Sequence, residues 1–96
     1  MNRTYEVVTV LSPALGEEGL VATSAKIKAL IGSAAEIVSY DEWGRKRLAY
    51  EVDNQHEGYY ALTTFRAEPE FPKELERVLK ITEGVLRYLV IRKEEK

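Results

Sequence analysis

The order in which two hydrophobic periods alternate along the chain narrows its fold more than any other feature. Residues 4–11 are rich in β-branched side chains, with Tyr5, Val7, Thr9 and Leu11 in one phase and Thr4, Glu6, Val8 and Val10 in the other. This predicts a strand with two fairly apolar faces, suited to the middle of a sheet. Ser12-Pro13 stops it, because proline has no amide hydrogen to continue a ladder. From Gly16 or Glu17 to Ile31 the period changes, and Leu20, Thr23, Ile27, Leu30 and Ile31 recur at helical spacing. Glu17 and Glu18 suit the positive end of that helix, and Gly32 is its expected C-terminal cap. Period two returns at residue 35 and runs through Gly44 to Val52, a single long bent strand because no two-residue hairpin signal divides it. The polar run Asp53-Asn54-Gln55-His56-Glu57-Gly58 is the expected hairpin turn, followed by a strand over 59–67. Pro69 and Pro72 fit the start of a second helix over about 69–80, with Leu75, Val78 and Leu79 as its buried stripe. Thr82-Glu83-Gly84 ends that helix, and residues 85–92 alternate as a last strand.

Strand, helix, strand, strand, helix, strand is the α+β, ferredoxin-like βαββαβ order. Right-handed crossovers then put both helices on one face of a four-stranded antiparallel sheet. The expected organisation is one domain over 1–93 and a short polar tail at 94–96. A chain of this size can bury roughly 60–70% of the surface its unfolded form exposes. Because the strands are apolar in both phases, the face without helices is expected to show Val8, Val10, Tyr60, Leu62, Leu89 and Ile91. That much exposed apolar surface reads as a contact surface.

Composition excludes several classes. With 45% hydrophobic and 31% charged residues the chain is that of an ordinary globular protein. No apolar run approaches the roughly 20 residues that span a bilayer, and the N-terminus lacks a secretory pattern, so no membrane partner is expected and the cytoplasm is the expected compartment. The absence of cysteine removes disulfides, thiolate catalysis and cysteine-ligated zinc. His56 is the only histidine, and with Glu57 or Asp53 it has no metal-ligand spacing. The six glycines are not grouped to cradle phosphate, and the adjacent Asp41 and Glu42 point to opposite faces of a strand, so they form no acid and base pair. No catalytic residue, metal, cofactor or small-molecule substrate is expected.

The net charge is −2 and the pI near 5.5, which argues against strong nonspecific binding of polyanions. The distribution is uneven, with Arg45-Lys46-Arg47 the only three-residue basic run and acids gathered on the helices and at Asp41 and Glu42. Gly44 in a strand pattern implies a bulge or bend that re-aims the basic side chains after it. Leu48, Tyr50 and Val52 alternate as the buried face of a core strand beyond the tip. The basic run fits a nucleic-acid contact and, equally on pattern, a charged edge that discourages strand-to-strand aggregation.

The run Glu42-Trp43-Gly44-Arg45-Lys46-Arg47-Leu48-Ala49-Tyr50, the opening Tyr5-Glu6, Gly58-Tyr59, and the closing run from Val85 to Arg92 together resemble the bacterial small-subunit ribosomal protein six family, in order and spacing over nearly the whole chain. The resemblance implies a non-enzymatic protein that binds the central domain of the small-subunit ribosomal RNA together with a small basic partner, ribosomal protein eighteen. It implies phosphate contacts for Arg45, Lys46, Arg47 and Arg87, with Arg3 a further basic position at the N-terminus. It implies a surface for the protein partner or RNA at Tyr60 and Leu62, beside which Leu89 of the open face is expected to bind the partner, and a fold-defining role for Leu48, Ala49 and Tyr50; Trp43 fits either the partner surface or the fold. Many family members carry a longer charged C-terminal extension than Glu94-Glu95-Lys96, so contacts made by such a tail are not carried over. The alternative from another class is a regulatory or ligand-binding module that dimerises through its open sheet face, its sign being a small-molecule cleft or a homodimer. An acylphosphatase-like hydrolase would need a glycine-rich anion loop with a placed arginine and asparagine, and none is present.

Overall fold

The structure, a computed structural model, describes residues 2–52 and 55–93. Its elements are β1 (Arg3–Leu11), a 3-10 turn (Pro13–Leu15), α1 (Gly16–Ala34), β2 (Glu36–Val52), β3 (Gln55–Ala67), α2 (Phe71–Ile81) and β4 (Val85–Arg92). The sheet has four strands in the order β2-β3-β1-β4, all neighbours antiparallel. This is the ferredoxin-like α+β fold that the alternation of periods predicts.

The core forms where the helical stripes meet one phase of the central strands. Tyr5, Val7 and Leu11 of β1 and Phe65 and Ala67 of β3 pack with Ile27 and Ile31 of α1 and Phe71, Leu75 and Leu79 of α2. Phe65 stacks on Tyr5 with centroids 5.7 Å apart and meets the edge of Phe71 at the same distance. Both are arrangements that aromatic rings favour. In α2, Phe71, Leu75 and Leu79 recur every four residues and so share one face.

Three boundaries differ from the sequence expectation. Helix α1 runs through Gly32 to Ala34, and the backbone turns extended only at Ala35; within its last turn Ser33 Oγ donates to the Leu30 carbonyl at 2.7 Å. Gly32 is not among the glycines with positive φ, so its freedom to adopt a left-handed cap is unused. Helix α2 starts at Phe71, two residues after Pro69, with Pro72 in its first turn. Strand β3 starts at Gln55, so Gln55 to Gly58 are strand; Asp53 and Asn54, where the turn was also expected, lie outside the described residues, as do residues 94–96.

The single long β2 is as expected, and it is irregular at defined places. Its register against β3 shifts between Ile37 and Ser39, between Glu42 and Gly44, and again between Arg47 and Val52. Gly44 has φ +79°, a left-handed value that other residues adopt only at a cost. The bulge therefore sits where the sequence placed it.

Candidate nucleic-acid interface

The pairing of β2 with β3 decides where each basic side chain of the tip points. Arg45 lies opposite Tyr59, Lys46 opposite Gly58 and Arg47 opposite Glu57. Directly paired residues share a face and neighbours alternate. Tyr59 is paired with Leu11 of the core phase, so Arg45 and Arg47 belong to the helix-side phase and Lys46 to the open face. The three consecutive cations do not form one cluster.

Arg45 is held in place. Its Nη2 donates to the Tyr59 hydroxyl at 3.1 Å, its guanidinium lies 5.2 Å from the Tyr59 ring centroid, and Nη1 is 3.7 Å from Glu57 Oε1. Lys46 and Arg47 are exposed and have no ion-pair partner among the described residues. Arg3 is exposed at the far end of β1, paired with Ala67, whereas the hairpin lies beside Leu11. Eight residues of strand separate them, about 27 Å at ~3.4 Å per residue. Arg3 is thus remote from the tip.

The open face departs from expectation at its hairpin end. Leu89 and Ile91 are exposed, and Val8, Tyr60 and Leu62 are half-buried, but Val10 is only 4% exposed. The cause is the long hairpin, which curls over the sheet. A Cβ placed on Gly58 would lie 2.4 Å from Val10 Cγ1 and 3.5 Å from Leu48 Cδ2, so these two side chains close over the glycine. Further along, Tyr50 reaches β4 at the opposite edge, where the Arg87 guanidinium lies 4.6 Å from its ring centroid. Tyr50, expected in a core strand, is 58% exposed. A missing Cβ at Gly58 and a register shift after Arg47 make this curl, and neither is visible in a period-two pattern.

Leu62, Val8 and Leu89 form one row across three strands, and Tyr60 lies next to it on β3. Trp43, the extra residue of the β2 bulge, stacks on Tyr60 with centroids 6.5 Å apart and donates its indole N–H to Asp41 Oδ2 at 2.9 Å. Trp43 therefore joins the partner-surface residues expected from sequence. On the helix side, a cleft of about 720 Å3 lies between α1 and the β2–β3 pair. Its Tyr40 ring has Lys28 Nζ 4.2 Å from the centroid and shares a 2.8 Å hydrogen bond with Ser24. Glu17, Glu42, Lys28 and Arg45 all line it, so its charge favours neither sign of ligand.

Among the described residues no group of three or more His, Asp or Glu side chains is placed to hold a metal. His56 Nε2 lies 3.5 Å from Glu51 Oε2, both well exposed. No helix of the described residues is long and apolar enough to cross a membrane.

The chain has close relatives. The family model described as Ribosomal protein S6 matches residues 4–92. Small ribosomal subunit protein bS6 of Clostridium novyi is 46% identical over 94 residues, covering 97% of this chain and 99% of that protein. The protein of the same name from Thermoanaerobacter pseudethanolicus is 48% identical, with the same coverage. The crystal structure of 30S ribosomal protein S6 from Thermotoga maritima superposes with a TM-score of 0.90 at 25% identity, over 97% of this chain and 89% of that one. Signature, strand order and near full-length identity agree, and this chain belongs to the ribosomal protein S6 family of the small ribosomal subunit.

Proposed function

We propose that this chain binds the central domain of the small-subunit ribosomal RNA together with the small basic ribosomal protein eighteen. The observation that carries the reading is a chain of a ribosomal family, acidic overall, that sets its only three-residue basic run, Arg45-Lys46-Arg47, at one hairpin. Lys46 and Arg47 at the tip, and Arg87 beneath the curled hairpin, are the phosphate contacts. Arg45, tied to Tyr59 and Glu57, orders the tip and adds a partly satisfied charge. Arg3 serves a separate contact at the other end of the sheet. Trp43, Tyr60, Leu62 and Leu89 form the surface for the protein partner, where an apolar row sits beside carboxylates suited to a basic protein.

Each neutralised phosphate contributes about 0.7–0.9 to the dependence of log affinity on log salt. Four such contacts make affinity fall roughly 50- to 150-fold between about 50 and 200 mM salt. With a net charge of −2 the chain has little further electrostatic attraction for RNA, so the basic partner supplies much of the affinity. The regulatory-module alternative has a small-molecule cleft as its sign, and the α1–β2 cleft is of suitable size. Family membership favours the ribosomal reading. Titration of a labelled central-domain RNA fragment, with and without the basic partner, tests it: tight binding with the partner supports the proposal, and absence of binding in both arms refutes it.

A further inference from the structure

Tyr50 and Arg87 are 37 positions apart in the sequence and lie on strands at opposite edges of the sheet. They meet only because the hairpin crosses the open face, with Leu48 and Val10 closed over Gly58 beneath it. Tyr50 is 58% exposed, so burial is not the main reason for its place. Val10 is paired with both Tyr60 and Arg87, which puts Arg87 on the same open face as Lys46. Strand register thus puts two basic positions from distant parts of the chain on one side of the sheet, and the hairpin lays the Tyr50 ring against one of them.

A guanidinium lying on an aromatic ring uses its face for that contact, while its N–H donors point outward in the plane. Those donors match the spacing of phosphate oxygens. The stacked arginine is therefore more ordered than a free one and still able to bind an anion. Holding a long side chain in advance removes an entropy cost that binding would otherwise meet.

We propose that Tyr50 is a positioning residue for RNA binding: its ring fixes the Arg87 guanidinium at the open face so that Arg87 and Lys46 meet the phosphate backbone together. This rests on the reading of Arg87 as a phosphate contact.

The test is a double-mutant cycle with a labelled central-domain RNA fragment and the basic protein partner, at one fixed salt concentration. Tyr50→Leu weakens binding by about two- to tenfold, the range expected from freeing one long side chain. Tyr50→Phe, which keeps the ring, binds as the parent does. In the Arg87→Ala background, Tyr50→Leu has no further effect. Circular dichroism of each variant checks that the fold is retained. If Tyr50→Leu weakens binding equally with and without Arg87, or not at all while Arg87→Ala weakens it, the positioning role is overturned and the phosphate role of Arg87 stands. If Arg87→Ala leaves affinity unchanged, the phosphate role falls and the positioning role falls with it. If Tyr50→Leu unfolds the domain, Tyr50→Phe decides: binding weakened by loss of the hydroxyl alone overturns the role of the ring.

Discussion

Replacing Gly58 by alanine tests whether the hairpin truly closes on the sheet. The added Cβ would lie 2.4 Å from Val10 Cγ1, a separation at which something must move, and 3.6 Å from the Leu11 carbonyl oxygen. Val10 is buried and β-branched, so its methyl group can leave only by a disfavoured rotamer or a backbone shift. Overpacking of this kind costs about 1–3 kcal/mol. The alanine recovers about 0.4–1 kcal/mol by restricting the unfolded chain. The expected net loss is about 1–2 kcal/mol, or roughly 5–15 °C in melting temperature for a domain of this size. Urea denaturation followed by circular dichroism would show a lower midpoint with an unchanged slope. A second variant isolates the cause. Val10→Ala removes the clashing methyl, so Gly58→Ala made in that background is neutral or stabilising, a coupling of at least about 1 kcal/mol. If Gly58→Ala proves as stable as the parent, or costs the same with and without Val10, the steric account of the curl is wrong.

Four further outcomes follow from the same geometry. Gly32→Ala is expected to raise stability by about 0.4–1 kcal/mol, because Gly32 is an ordinary helical position whose Cβ would meet nothing closer than Ile37 Cδ1 at 3.9 Å; a denaturation midpoint that falls would contradict this. Gly44→Ala, where φ is +79° and nothing lies within 4 Å, is expected to lose about 1 kcal/mol from backbone strain alone, and no neighbouring substitution should rescue it. Lys46→Ala with Arg47→Ala is expected to lower the salt slope of RNA binding by about 1.4–1.8 with the fold intact; an unchanged slope would leave protection of the strand edge as their role. In α2, the hydrogen bonds from Arg77 hold the Glu74 carboxyl below the ordinary carboxylate range. The pair's small stabilisation is then present above the unfolded value of about 4.3 and is lost as pH falls through the lower folded value. An NMR titration should find the Glu74 midpoint below its ordinary value, and Arg77→Ala should move it up.

Element order, the single long β2 and the bulge at Gly44 are all legible in the sequence, because each is written in local periodicity or in a residue with special backbone freedom. The family signature is legible for the same reason, as it follows β2 through the bulge and down the hairpin. Gly32 shows where local reading ends: a glycine after an apolar stripe looks like a helix stop, yet Gly32 does not take a positive φ and the helix runs on to Ala34. The basic tip is legible as composition but not as a surface. Register sends Arg45 and Lys46 to opposite faces, and Tyr59 and Glu57 tie Arg45 in place. Val10 and Tyr50 are exchanged in burial relative to expectation because the hairpin curls, and the curl depends on a close approach across strands at Gly58. The contact of Arg87 with Tyr50 is a consequence of that tertiary path and has no sequence signal of its own.

The most direct test of the account is the affinity of the purified chain for a labelled central-domain fragment of small-subunit ribosomal RNA, measured with and without the basic ribosomal protein eighteen at low and high salt. The account predicts weak binding by the chain alone, tight binding by the pair, and a salt slope that falls when Lys46, Arg47 and Arg87 are replaced. Binding by the isolated chain as tight as that of the pair would contradict it.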